Sequence, residues 1–110
     1  MAVSADLSET DRTRARRAKE RVTFDRELAY SVLDEAYVAH VGVATESGPV
    51  VLPMAYGRVD DRLYLHGAAA NGLLRSGVEA EVCVTVTILD GLVMARSAFH
   101  HSLHYRCVVL

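Results

Sequence analysis

The chain has 110 residues, 51% of them apolar and 24% charged, with a formal net charge of −2. That length allows one domain with a modest core, and that composition excludes a disordered chain. No apolar run reaches the length of a membrane helix, no signal-peptide core is present, and Cys83 and Cys107 are the only cysteines. Together these predict a cytoplasmic protein, with both cysteines inside strands as buried free thiols, a disulfide being the alternative if those strands neighbour each other.

Residues 1–22 carry Arg12, Arg14, Arg16, Arg17, Lys19 and Arg21 without a sustained apolar face. They read as a solvated basic arm ahead of a domain over 23–110. Beyond residue 26 the chain holds five Arg against nine acids, so no nucleic-acid surface and no membrane partner is expected on the body. Thr23 or Asp25 caps a helix with Leu28, Val32, Leu33 and Ala36 on one face. Residues 37–44 (YVAHVGVA) are a first strand, in which His40 is an isolated imidazole among apolar neighbours. After the turn at Glu46-Ser47-Gly48, residues 49–57 return as a second strand. Pro53 cannot donate to a ladder, so it marks an edge or a bulge. A bulge there would free backbone N–H and C=O groups from Leu52 to Ala55.

Asp60-Asp61 is the next turn and residues 62–66 (RLYLH) the third strand. Gly67 then lets the chain turn into an alanine-rich helix, which reads first as an ordinary crossover and second as an anion site formed by its first N–H groups. Gly67 and Gly72 are not a P-loop, because no Lys-Ser/Thr follows. Val82, Val84, Val86 and Ile88 alternate with Cys83, Thr85, Thr87 and Leu89, the period of a strand. Asp90-Gly91 has the composition of a type I′ hairpin turn, with 92–96 as the returning strand. Residues 97–104 (SAFHHSLH) form a polar loop, and 105–110 resume an extended run.

Six short strands with helices over the openings predict a small barrel of mainly β structure. The last apolar run reaches Leu110 without a turn or polar cap, which predicts an edge covered by a second subunit, a chain that continues further, or both. A metal site from His100, His101, His104 and Cys107 ranks low, since no carboxylate or CxxC lies near them. A nucleophile triad ranks lower, because Ser97 and Ser102 have no G-x-S-x-G elbow and no orienting acid.

The segments DRELAYSVLDEAYVAHVGV, LPMAYGR, RLYLHGAAANGLLR and VCVTVTILDGLVMARSAFHHSLHYRCVVL resemble the pyridoxamine 5′-phosphate oxidase-like FMN-binding split-barrel family. The branch they are most similar to is that of the flavin-nucleotide-binding and nitroimidazole-resistance proteins. His104 and Cys107 depart from it, standing where that branch commonly has Asn and Ser. The resemblance implies a six-stranded split β-barrel, a homodimer with FMN at the interface, and a chain truncated at its C-terminal end. It puts the backbone of Leu52, Pro53, Met54 and Ala55 against the ring edges and His66 at the mouth of the site. Arg75, Arg106 and the helix start after Gly67, with Asn71 in that segment, would meet the phosphate, and Ser97, Ser102 and Tyr105 would be neutral donors. The activity implied is an FMN-dependent oxidoreductase taking electrons from a reduced nicotinamide for a small organic substrate. The alternatives are a non-catalytic flavin-sensing module, or a deazaflavin- or haem-binding split barrel.

Overall fold

A computed structural model of the chain describes residues 7–67 and 81–110. A single 3-10 turn at Lys19–Arg21 leads into the helix α1, Arg26–Glu35. The cap is Asp25: its carboxylate accepts from the Glu27 N–H at 2.9 Å and the Leu28 N–H at 3.3 Å. The Thr23 hydroxyl supports it by accepting from the Asp25 N–H at 3.2 Å. Both candidates for the cap therefore contribute, Asp25 directly and Thr23 one step behind. Val32 and Leu33 are buried as expected, whereas Leu28 turns outward and Ala29 and Tyr30 pack towards the core instead.

Five strands follow: β1 Val38–Thr45, β2 Gly48–Val59, β3 Arg62–His66, β4 Cys83–Val93 and β5 Ser102–Val109. They make one antiparallel sheet in the order β3-β2-β1-β4-β5, a split-barrel-like arrangement. Two tight turns join β1 to β2 and β2 to β3. Each contains a left-handed residue, Gly48 at φ +117° and Asp60 at φ +50°. Aspartate tolerates that region better than most side chains do.

Burial follows the two-residue strand period. Ala39, Val41 and Val43 of β1, Met54 of β2, Val84 and Val86 of β4 and Val108 of β5 point to one face, where Val32 and Leu33 of α1 cover them. Val-rich strands suit this layer, because β-branched side chains lose little freedom on a pleated surface. The helix is tied down at its flanks by the Tyr56 hydroxyl, which donates to the Leu33 carbonyl, and by Arg58, which grips Asp34 through Nε and Nη2 at 2.7 and 2.6 Å. Arg58 also lies over the Tyr30 ring at 4.2 Å, and the Tyr30 hydroxyl donates to Asp61 beside Arg26.

Four expectations are corrected. Asp90-Gly91 is not a hairpin turn: neither residue has the positive φ that a type I′ turn needs, and β4 runs on to Val93 with a register shift between Leu89 and Gly91. The fourth and fifth expected strands are thus one bulged strand, and five strands are described in place of six. Pro53 causes no bulge, since the β1–β2 register is unbroken from Val38↔Ala55 to Thr45↔Gly48. It lies where β3 has ended and, among the described residues, β2 is paired on one side only, the edge option of the two. The polar loop is shorter than 97–104, because β5 already begins at Ser102. Cys83 and Cys107 are free but exposed, on the face of the sheet that α1 leaves uncovered. The helix expected after Gly67 lies outside the described residues.

Val86 is fully buried at the centre of the layer. Val86→Ala should destabilise the domain by about 2–3 kcal/mol, the transfer loss of two methyl groups plus a cavity. Asp25→Ala should cost about 1 kcal/mol and Asp25→Asn much less. Urea unfolding of the three variants checks both values.

Candidate functional site

The residues expected to bind a cofactor fall into two groups on opposite borders of the sheet. The first is at the end of β2 and β3. Pro53 and Ala55 point to the open face, while Met54 is buried and Leu52 half-buried in the core. Ala55 stands opposite His66, the last residue of β3, which is exposed and followed by Gly67. Before Ala55 no described strand lines the outer side of β2, so backbone groups there face outward over several residues. A planar ring with donors and acceptors along its edge finds its counterpart in such a strand edge. Asn71 and Arg75 lie outside the described residues.

The second group is on β5 and the turn that leads into it from β4. Ser97 precedes the 3-10 turn Ala98–His100, Ser102 opens β5 opposite Val93, and Tyr105 lies opposite Leu89 with its ring exposed. Arg106 lies opposite Ile88. Strands β2, β1 and β4 separate β3 from β5, so the structure joins the members within each group but not the two groups.

Arg106 is the most heavily engaged side chain of the second group. Its Nε and Nη2 donate to both Asp90 carboxylate oxygens at 2.8 Å each. Its Nη1 and Nη2 donate to Glu35 at 3.0 and 3.2 Å. Both edges of the guanidinium fork are filled, and an anion reaching Arg106 has to displace a carboxylate. The cluster ties the C-terminal end of α1, the β4 bulge and β5 together. Glu35 and Asp90 were not foreseen as its partners. A sequence signal existed for Glu35: an acid in the last turn of a helix opposes the macrodipole and calls for a cation nearby. No such signal existed for Asp90, whose role follows from the bulge.

Next to Glu35 lies a hollow of about 310 Å³ lined by Glu35, Ala36, Tyr37, Val38, Thr87 and Ile88. It opens at the rim between the helix end and the uncovered sheet face, and none of the expected site residues lines it. In the polar turn the Nε2 of His101 lies 2.9 Å from the Ala95 carbonyl oxygen, and the rings of Phe99 and His100 meet edge to face at 5.4 Å. Among the described residues no three His, Cys, Asp or Glu side chains converge as metal ligands do.

The chain matches the family model for pyridoxamine 5′-phosphate oxidase over residues 25–110 and belongs to that family. Its structure is similar to that of the flavocytochrome Anf3 from Azotobacter vinelandii, with 38% identity and a TM-score of 0.81 over 92% of this chain and 47% of that one. It is also similar to an FAD and heme binding protein from Mycobacterium smegmatis, with 40% identity and a TM-score of 0.72 over 78% of this chain and 42% of that one. The chain therefore spans less than half the length of either. No curated protein matches it significantly. No helix among the described residues is long and apolar enough to cross a membrane.

Three carboxyls are held below the usual carboxylate range. Hydrogen bonds from Arg106 lower Asp90, those from Arg58 lower Asp34, and the Tyr30 hydroxyl, aided by Arg26, lowers Asp61. A depressed folded-state pKa gives stability that is present above the unfolded value and lost as pH falls through the folded one. Stability should therefore hold down to about pH 4 and decline below it. Asp90→Asn should be less stable than the parent at neutral pH, and the gap should close in acid. Thermal melts of both proteins across that range measure it.

Proposed function

We propose that the protein is a flavin-nucleotide-binding redox protein, a cytoplasmic homodimer that holds FMN at its interface and oxidises or reduces a small organic substrate. The observation that carries this is the family match over 25–110, joined to the flavin named for both structural neighbours. When bound, a flavin supplies the hydride and electron chemistry, and the protein supplies binding and orientation.

The described residues fit that cofactor in part. The outer side of β2 from Leu52 towards Ala55, which no strand among the described residues lines, offers main-chain groups to a ring edge, and His66 and Gly67 stand beside it. The apolar face next to it would exclude water from the ring. Ser97, Ser102 and Tyr105 are exposed and available as neutral donors. Arg106 serves a phosphate only by exchanging Glu35 or Asp90 for it. The two groups border opposite sides of the sheet, which supports a flavin bound between two copies, each giving one group.

A non-catalytic flavin carrier differs from an oxidoreductase in one readout. The enzyme oxidises reduced nicotinamide in the presence of an acceptor, and the carrier stays loaded without turnover. A haem beside the flavin is a second reading, favoured by one observation: both structural neighbours are named for haem as well as flavin, as a flavocytochrome and as an FAD and heme binding protein.

The absorbance spectrum of the purified protein tests the flavin, and titrations with FMN and riboflavin test the phosphate contact. Arg106→Ala should weaken FMN by roughly ten- to a hundredfold, the loss of one charge-assisted contact. Glu35→Gln should strengthen FMN by removing a competitor for the guanidinium. Riboflavin, which has no phosphate, should respond to neither. Equal losses for FMN and riboflavin in Arg106→Ala would mean that Arg106 serves only the Glu35–Asp90 cluster.

A further inference from the structure

The hollow of about 310 Å³ beside Glu35 lies where two strands part. β1 and β4 pair only from Gly42↔Cys83 to His40↔Thr85, although β1 begins at Val38 and β4 runs on to Val93. On their other sides both strands stay paired through this stretch, β1 as far as Val38↔Ala55 and β4 through Thr87↔Cys107 and Ile88↔Arg106. The gap past His40↔Thr85 is walled by Val38 on one side and by Thr87 and Ile88 on the other, with Glu35, Ala36 and Tyr37 at its end. Val84 exchanges both of its main-chain hydrogen bonds with Leu110, at 2.9 and 2.8 Å. Directions alternate along an antiparallel strand, so Thr87 turns its N–H and C=O away from β5 and towards β1. Those groups lie past the last β1–β4 pair, which gives the hollow a main-chain donor and acceptor.

We infer that this hollow binds a small aromatic cation carrying N–H donors, such as an aryl amidinium ion. The charge balance sets the sign. Glu35 and Asp90 share one guanidinium, that of Arg106, while Asp34 beside Glu35 is matched by Arg58. One negative charge is left over at the negative end of α1, whose last turn holds no basic residue. Each Glu35 oxygen accepts one hydrogen bond from Arg106 and keeps a lone pair for another donor. The Thr87 hydroxyl has no hydrogen-bond partner among the described residues and adds a further acceptor. The walls set the shape. Ala36, Val38 and Ile88 are apolar, and Tyr37, 83% exposed, supplies a ring on which a cation can rest. The volume is at the lower end of the range for ligand sites, enough for one ring and its substituent.

Other occupants suit the hollow less well. A bare metal ion needs several converging ligands, and Glu35 is the one acid on this lining, with no cluster of three metal-ligating side chains among the described residues. An anion meets the surplus negative charge. A neutral ring gains the apolar wall but leaves the carboxylate unanswered. None of the residues assigned to the flavin lines the hollow, so the site is separate from that of the cofactor.

The test is titration of the full chain with benzamidinium, followed by two-dimensional amide NMR and calorimetry, with benzoate and benzyl alcohol as anionic and neutral probes of similar size. Benzamidinium should shift the amides of Tyr37, Val38, Thr87 and Ile88 saturably, benzyl alcohol should bind far more weakly, and benzoate should not bind. Glu35→Gln should weaken benzamidinium about tenfold, the loss of one charge-assisted contact, and leave benzyl alcohol unchanged. Thr87→Val removes one exposed hydroxyl and no ionic partner, and should weaken benzamidinium severalfold. Val38→Trp fills the hollow without altering a polar group, and should abolish binding at an unchanged melting temperature. No saturable shift at these four amides, benzoate bound as tightly as benzamidinium, or full affinity in both Glu35→Gln and Val38→Trp overturns the assignment. Should Val38→Trp be unstable, full affinity in both Glu35→Gln and Thr87→Val overturns it equally. None of these readouts involves a flavin, so the flavin reading stands or falls separately.

Discussion

One ten-residue helix covers one face of a five-stranded sheet, and much of the rest of the structure follows from that one-sided burial. The covered face concentrates the core in Val41, Val86 and Ala39, which have almost no exposure, with Val32 and Leu33 of α1 above them. The uncovered face has the same strand period and therefore carries its own apolar set, Val38, Val51, Tyr64, Leu89, Tyr105 and Val109. An apolar face of this extent is an interaction surface rather than an ordinary exterior. Cofactor, second copy and further chain are the things that cover such faces, and the first two are what the proposed function requires.

Electrostatics fixes where that helix lies. Near its start Arg26 and Tyr30 meet Asp61 of the β2–β3 turn, and at its end Asp34 meets Arg58 of β2 and Glu35 meets Arg106 of β5. The carboxylates of these contacts are more than half exposed, and ion pairs open to solvent contribute little stability singly. Their effect is geometric: they join the start of α1 to the β2–β3 turn and its end to β2 and β5, and together they set its direction across the sheet. The bidentate Arg58–Asp34 and Arg106–Asp90 pairs are the kind in which geometry is best defined. Arg106 consequently sits between two demands, holding the helix end and meeting a phosphate.

Much of this was legible in the residues. Alternation located β1, β3 and the first half of β4 nearly to the residue, and the Asp25 cap and the turns at Ser47-Gly48 and Asp60-Asp61 came from local chemistry. What failed was non-local. Asp90-Gly91 has the composition of a turn, but a carboxylate recruited by Arg106 and a bulge in a long strand use the same two residues differently. The cysteines fit an apolar strand pattern, yet which face of a strand is covered depends on where the helix lands. Pro53 signalled an edge correctly, and only the length of β3 shows that an edge suffices without a bulge. The candidate site was legible as residue types, but its division into two groups required the strand order.

That division bears on how a single flavin is held. Strand order β3-β2-β1-β4-β5 sets the His66–Gly67 end against one border and Ser102, Tyr105 and Arg106 against the other. Among the described residues the core between them is continuous from Met54 to Val108, and no cleft runs through the covered side from one group to the other. A ligand touching both groups of one chain would have to cross the open face over β1 and β4. A flavin shared between two copies, as proposed above, removes that difficulty if the β2–β3 border of one lies against the β4–β5 border of the other.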